Sequence, residues 1–201
     1  RALAHLAETR DNETGNHIQR TQSYIRLLAT LMARHPRFAA TLDNNYIETL
    51  ARSAPLHDIG KVGIPDYILL KPGKLTESEF EIMQTHSTIG YKILSDSNSH
   101  LMKAAAEIAL CHHEKFDGSG YPNGLKGEEI PIFARIVAVA DVFDALTSDR
   151  PYKKAWDSKD AIELIKKNSG SHFDPECVEA FLKDWHEVLY IKAKYKDEEE
   201  G

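Results

Sequence analysis

Residues 134–148 read ARIVAVADVFDALTS. Their apolar positions run nearly all the way round a 3.6-residue helix, the pattern of a helix enclosed by others. Yet Asp141 and Asp144, three residues apart, share one face of it. A carboxylate removed from water must be paired or must bind a metal, because its desolvation is otherwise too costly. The chain must therefore build a central helix and also supply cationic or metal partners to one side of it.

The remaining periodic stretches have helical spacing as well, and no alternating strand pattern stands out, so the expected fold is all-α. Thr76-Glu77-Ser78-Glu79 matches a capping box and opens a helix expected to run to about Leu94. Asp174-Pro175 places a capping acid before a first-turn proline, ahead of Val178, Phe181, Leu182 and Trp185 at amphipathic spacing. Asp157 can cap a helix carrying Ala161, Ile162 and Ile165. Proline and glycine mark short loops at Gly60 to Pro65, at Lys71-Pro72-Gly73 and at Asp117 to Gly127. The terminal KYKDEEEG is expected to be a solvated charged tail.

With 201 residues and 42% hydrophobic content, the chain can bury a sizeable core as one large domain or two small ones. Its formal charge of −6 disfavours a DNA or RNA binder, since phosphate-backbone affinity requires a basic face. An anionic small ligand would need a local positive site instead. No apolar run approaches the roughly 18 residues needed to cross a bilayer, and no signal peptide is visible. Direct membrane insertion is therefore not expected, and a cytoplasmic setting is the default. The start at Arg1, without methionine, suggests a fragment of a longer chain, which could itself be membrane-tethered. Cys111 and Cys177, both in apolar helical contexts, read as reduced core residues.

Of ten histidines, His5, His35, His100, His172 and His186 read as surface residues or satisfied core residues. The other five are tied to acids, to one another or to a core-facing stripe. Glu13 and His17 are four apart, on a stripe continued by Leu28 and Leu31. His86 shares its stripe with Ile82, Ile89 and Ile93, and His112 follows Ala105, Ile108 and Ala109. His57-Asp58 ends a helix, with Gly60 breaking it and Lys61 close behind. From His57 onward these clusters recur at intervals of 26 to 29 residues, room for one helix out and another back. An antiparallel bundle could thus gather Glu13, His17, His57, Asp58, His86, His112, His113 and Asp141. The plain alternative is a group of unrelated core histidines, each satisfied by a nearby acid. It fits poorly with so large a set of costly buried polar groups.

Eight ligands exceed what one four- to six-coordinate ion uses, so two or three divalent metal ions are indicated, with an aspartate bridging. Five imidazoles and three carboxylates without thiolate suit iron or manganese at least as well as zinc. Such a centre lowers the pKa of a bridging water and clamps the oxygens of an in-line phosphoryl displacement, which points to phosphoester hydrolysis. In HHEKFDGSGYP at 112–122 the adjacent histidines diverge by about 100° on a helix and can serve different ions. The glycines that follow let the backbone turn away at once.

His57-Asp58-Ile59-Gly60-Lys61 together with HHEKFDGSGYP resembles the HD and GYP signatures of the HD-GYP domains, a bacterial branch of the HD phosphohydrolase superfamily. The likeness extends from RDNETGNH at 10–17 through DVFDALTSDRPYKKA at 141–155. It implies an HD-superfamily helical bundle around a multinuclear metal centre at residues 1–192, followed by the charged tail at 193–201. It implies hydrolysis of cyclic di-GMP to the linear dinucleotide pGpG and/or GMP by metal-activated hydroxide. The eight residues gathered above become the metal ligands, Asp58 the bridge, and Glu13 the residue favouring a third ion, with iron or manganese preferred. Lys61, Arg150 and Lys153 match positions that hold substrate phosphates, Lys61 acting beside Asp58 in catalysis, and Tyr121 matches the loop residue that contacts substrate. Asp144, Glu114 and Asp117 are assigned to orienting the ligating histidines. The family also implies a regulatory receiver or sensor domain elsewhere in the parent chain, and a homodimer is among the arrangements left open.

Three other readings compete. One keeps the chemistry and changes the substrate to cyclic GMP-AMP. Another is a catalytically idle sensor of cyclic dinucleotides, which loss of ligands would favour, although every expected ligand is present. An oxygen-carrying di-iron bundle would account for the histidines and acids but gives no reason for Lys61, Arg150 and Lys153.

Overall fold

The computed structural model describes residues 15–149 and 154–196, and among them the regular structure is helical, as the all-α expectation requires. The helices are α1 (Gly15–Ala33), α2 (Pro36–Ala39), α3 (Asn44–Ser53), α4 (Asp66–Leu69), α5 (Glu77–Gln84) and α6 (His86–Ser95). They continue as α7 (His100–Cys111), α8 (Ile132–Thr147), α9 (Ser158–Lys167), α10 (Pro175–Lys183) and α11 (Trp185–Lys194). None is long and apolar enough to cross a membrane.

Helix α8 is the enclosed helix that its composition demanded. Ile136, Val139, Ala140 and Phe143 are fully buried, and α1, α7, α9 and α10 pack around it. Tyr24 of α1, Phe143 of α8 and Phe181 of α10 meet edge to face, with ring centroids 5.2 to 6.1 Å apart. That geometry suits aromatic quadrupoles and joins α1, α8 and α10 in the main core. A smaller cluster of Leu56, Ile59, Leu94, Ala105, Ala106 and Ala109 joins the 54–63 segment to α6 and α7. Cys111 and Cys177 are free and buried, as expected.

Small residues let these pieces approach closely. A Cβ on Gly60 would fall 1.8 Å from the His86 carbonyl oxygen and 2.6 Å from the Gly90 nitrogen, both of them backbone atoms that cannot swing aside. Gly60→Ala is therefore expected to cost about 2–3 kcal/mol through forced overpacking, read as a lower denaturant midpoint at unchanged slope.

The caps explain the helix starts. Thr76 Oγ1 accepts from the Glu79 amide while the Glu79 carboxylate accepts from the Thr76 amide, completing the expected box. Asp174 accepts from the Glu176 amide ahead of Pro175. Asp157 stands at the cap position of α9, but its side chain makes no capping bond.

Three expectations need correction. The helix opened by Thr76 ends at Gln84 and restarts at His86, instead of running to Leu94. Side chains cap the carbonyls there: Thr85 Oγ1 donates to Ile82 O at 2.6 Å, and His86 Nδ1 bonds Met83 O at 2.6 Å. The stripe of Ile82, Ile89 and Ile93 does not face the core, since Ile82 and Ile93 are exposed. The buried face of α6 runs from His86 through Gly90 and Leu94 to Ser87, leaving Ile89 and Ile93 on its outer flank. Finally, α3 ends at Ser53, and His57 follows a 3₁₀ turn at Ala54–Leu56. Gly60 does not break a helix but sits inside a second 3₁₀ turn, Ile59–Gly63.

Beyond position 192, α11 continues through Lys194, and the next carbonyls are held by α1. Arg20 Nη1 donates to Tyr195 O at 2.7 Å and Asn16 Nδ2 to Lys196 O at 3.2 Å.

Candidate metal centre

Each buried imidazole of the site is tied back to its own segment through one ring nitrogen. His57 Nδ1 lies 2.6 Å from Ala54 O, His86 Nδ1 2.6 Å from Met83 O, and His112 Nδ1 3.1 and 3.0 Å from the Ile108 and Ala109 carbonyls. A carbonyl can only accept, so Nδ1 carries the proton and Nε2 is left with its lone pair. The 3₁₀ turn before His57, the break at Thr85 and the end of α7 each expose the carbonyl that sets this tautomer.

The Nε2 atoms converge on Asp58. Its Oδ2 lies 3.2 Å from His57 Nε2, and its Oδ1 lies 3.5 Å from His86 Nε2 and 3.4 Å from His112 Nε2. Asp58, His86, His112 and His113 each present a ligand atom within 4.8 Å of the others. Asp141 Oδ1 reaches to 3.6 Å from His57 Nε2, which brings α8 to the edge of the group. Lys61 Nζ sits 3.2 Å from Asp58 Oδ2, one 3₁₀ turn on.

The donors fit a divalent ion. His57 Nε2 and His112 Nε2 are buried without a hydrogen-bond partner, close to carboxylate oxygens but not aligned with them. Among the described residues only the Tyr24 hydroxyl shares that condition. Buried orphan acceptors are rare and call for an explanation, and a cation that takes lone pairs supplies one. His86 Nε2 and His113 Nε2 are 3.1 Å apart, the spacing of two ligands on one ion.

Electrostatics hold two of the rings neutral and, with no ion bound, leave His57 charged beside its carboxylates. Burial lowers the His86 pKa to about 4 and holds His113 far below the usual histidine range, so both rings are neutral and ready to ligate. Burial also acts to lower His57, but the Asp58 and Asp141 carboxylates outweigh it and raise the ring to about 10. Burial would raise Asp58, yet His57 and Lys61 hold it well below the ordinary carboxylate value.

The eight residues expected as ligands fall into groups. Asp58, His86, His112 and His113 form the tight cluster, with His57 and Asp141 adjoining it. His17 is buried on α1, its Nδ1 bonded to Asp144 on α8, one helical turn beyond Asp141. Glu13, Arg150 and Lys153 lie outside the described residues. Tyr121 stacks on His113, with centroids 4.8 Å apart and planes at 21°.

Asp144 meets its expectation by gripping His17. Glu114 and Asp117 do not. The buried Glu114 carboxylate accepts from the Asn123 and Leu125 amides at 2.8 and 3.0 Å, anchoring the 117–127 loop. Asp117 is exposed and accepts from the Ser119 amide and hydroxyl, an Asx turn. Both acids follow the histidines closely in sequence, but their carboxylates bond the loop and not His112 or His113.

Arg20 went unnoticed in the sequence. It is buried, its Nε donates to Asp144 Oδ1 at 2.5 Å, and its Nη2 donates to Ser148 Oγ at 3.0 Å. The available signal was its place on the inward stripe of α1, three residues after His17 and four before Tyr24.

Imidazoles locked by their own backbone around a His-Asp pair, in an all-helical scaffold, define a histidine–aspartate metal-binding domain. The chain belongs to the HD domain family, whose model matches residues 1–177. It is 52% identical over 98% of its length to a Vibrio cholerae protein named cyclic di-GMP phosphodiesterase, covering 41% of that protein. It is 46% identical over 97% of its length to the V. cholerae 3′3′-cGAMP-specific phosphodiesterase 2, covering 36% of it. The chain thus spans less than half the length of these relatives. The crystal structure of a cyclic GMP-AMP specific phosphodiesterase of V. cholerae, V-cGAP3, superposes with a TM-score of 0.58 at 20% identity. That match covers 96% of this chain and 51% of that one, and it shows the shared fold.

Proposed function

We propose that this chain is a metal-dependent cyclic dinucleotide phosphodiesterase that hydrolyses cyclic di-GMP to pGpG and/or GMP. The observation that carries the reading is the convergence of two orphaned imidazole nitrogens, His57 Nε2 and His112 Nε2, on Asp58 beside a lysine ammonium. Divalent ions held by these donors supply the Lewis acidity that activates water and polarises a phosphodiester.

The chain's own residues do the rest. Asp58 offers one oxygen toward His57 and the other toward His86 and His112, the arrangement a bridging carboxylate needs. Lys61 offers a cation at the phosphate position and offsets charge developing in the transition state. Arg150 and Lys153 complete the phosphate clamp in this proposal. His17, held by Asp144, and Glu13 serve a further ion, so two or three ions are proposed, with iron or manganese favoured by the imidazole-rich, thiolate-free set. The proposal also includes a cytoplasmic location and a receiver or sensor domain in the parent chain, for which the greater length of the relatives leaves room.

Cyclic GMP-AMP is the second reading, favoured by the 46% identity to a relative named for that substrate. Chromatography of products from each cyclic dinucleotide, using protein loaded anaerobically with iron or manganese, tests both readings. GMP or pGpG from cyclic di-GMP, abolished by a chelator, is the expected result. Preferential cleavage of cyclic GMP-AMP would select the second reading, and no cleavage of either would refute both.

A further inference from the structure

The Tyr121 ring stacks on His113 and also meets the Phe80 ring edge to face, with centroids 6.1 Å apart and planes at 86°. Phe80, on α5, is 46% exposed. A lone exposed phenylalanine carries no message. This one is distinguished by its ring contact with a tyrosine that itself lies against the cluster.

The backbone that carries both rings is held in place before any ligand arrives. Helix α5 is fixed by its capping box and by a Lys71–Glu79 bond of 2.5 Å. The Tyr121 loop is pinned by the Tyr121 amide on His113 O at 3.2 Å and by the two amides on Glu114. Gly120 lies so close to His113 O that a Cβ would stand 2.4 Å from it, and the loop cannot collapse further. Preorganised aromatic faces cost little entropy on binding.

We propose that Phe80 and Tyr121 form an aromatic platform that receives a purine base of the nucleotide whose phosphate lies at the His-Asp cluster. The inference rests on the phosphodiesterase reading above. A base stands one ribose away from its phosphate, and the platform stands one ring contact away from His113. Every base has a π face, so stacking supplies affinity without choosing guanine over adenine. The platform therefore serves cyclic di-GMP and cyclic GMP-AMP alike.

The test is kinetic and optical. Phe80→Ala and Phe80→Leu are expected to raise KM for cyclic di-GMP about tenfold, the loss of one base–aromatic stack, with kcat unchanged. Tyr67→Ala, on the 67% exposed tyrosine of α4, is expected to keep the wild-type KM. In Phe80→Trp the new indole is expected to be quenched saturably by GMP. A wild-type KM in Phe80→Leu, a fall in kcat alone, or no quenching would overturn the platform. If the wild-type protein cuts no cyclic dinucleotide while GMP still quenches the indole, the hydrolysis reading falls and the platform stands.

Discussion

Asp58→Asn is expected to lower kcat/KM for cyclic di-GMP by at least about 10³-fold, equivalent to ~4 kcal/mol of transition-state stabilisation. The substitution keeps size and shape and removes the charge on which His57, His86, His112 and Lys61 converge at 3.2 to 3.5 Å. Metal content per chain should fall with the rate. A variant with wild-type metal content and wild-type rate would remove Asp58 from the centre of the site.

The same substitution changes how stability depends on pH. The folded His57 pKa is raised from 6.5 to about 10, so its contribution is fully present below 6.5 and is lost as pH climbs through about 10. The Asp58 pKa is lowered from 3.8, so its contribution is present above 3.8 and is lost as pH falls through the folded value. Chelator-treated wild type should therefore melt at a progressively lower temperature between pH 6.5 and 10, and Asp58→Asn should show a flatter profile.

Arg20→Met is expected to destabilise the fold by about 3–5 kcal/mol, because it leaves the fully buried Asp144 carboxylate without its cation. Burial alone would raise the Asp144 carboxyl, and His17 and Arg20 together hold it below its ordinary value. Its contribution is thus present above about pH 3.8 and is lost on acidification through the folded value, so the acid limb should be steeper in wild type than in the variant. Arg20 also ties α1 to the end of α11 through Tyr195 O, and loss of that bond should speed amide exchange at the C-terminal turn. A melting temperature and acid limb unchanged from wild type would show the ion pair to be dispensable.

The legible parts of the sequence were those governed by local chemistry. The Thr76 box and the Asp174 cap depend on residues three or fewer apart, and both form. The enclosure of α8 followed from its apolar circumference. His57, His86 and His112 were singled out by spacing, and all three are buried with their Nε2 atoms near Asp58. The misread parts depended on contacts that sequence distance hides. The isoleucine stripe was extended across Thr85, where side chains take over the carbonyls and α6 turns a different face inward. Glu114 looked like a partner for the histidines beside it, but its acceptors are filled by amides 9 and 11 residues further on.

Composition and spacing alone specified an all-helical chain with a central apolar helix whose acids had to find partners, together with imidazoles and acids recurring at intervals that a bundle can gather. Which partner each acid took was settled by the packing of distant helices. Asp58 went to three imidazoles and Lys61, Asp141 to His57, and Asp144 to His17 and Arg20 from another helix. The same packing brought Tyr121 to Phe80. Helix formation is a matter of neighbours within one turn, whereas the pairing of a buried charge depends on which faces of distant helices the packed core brings within about 4 Å.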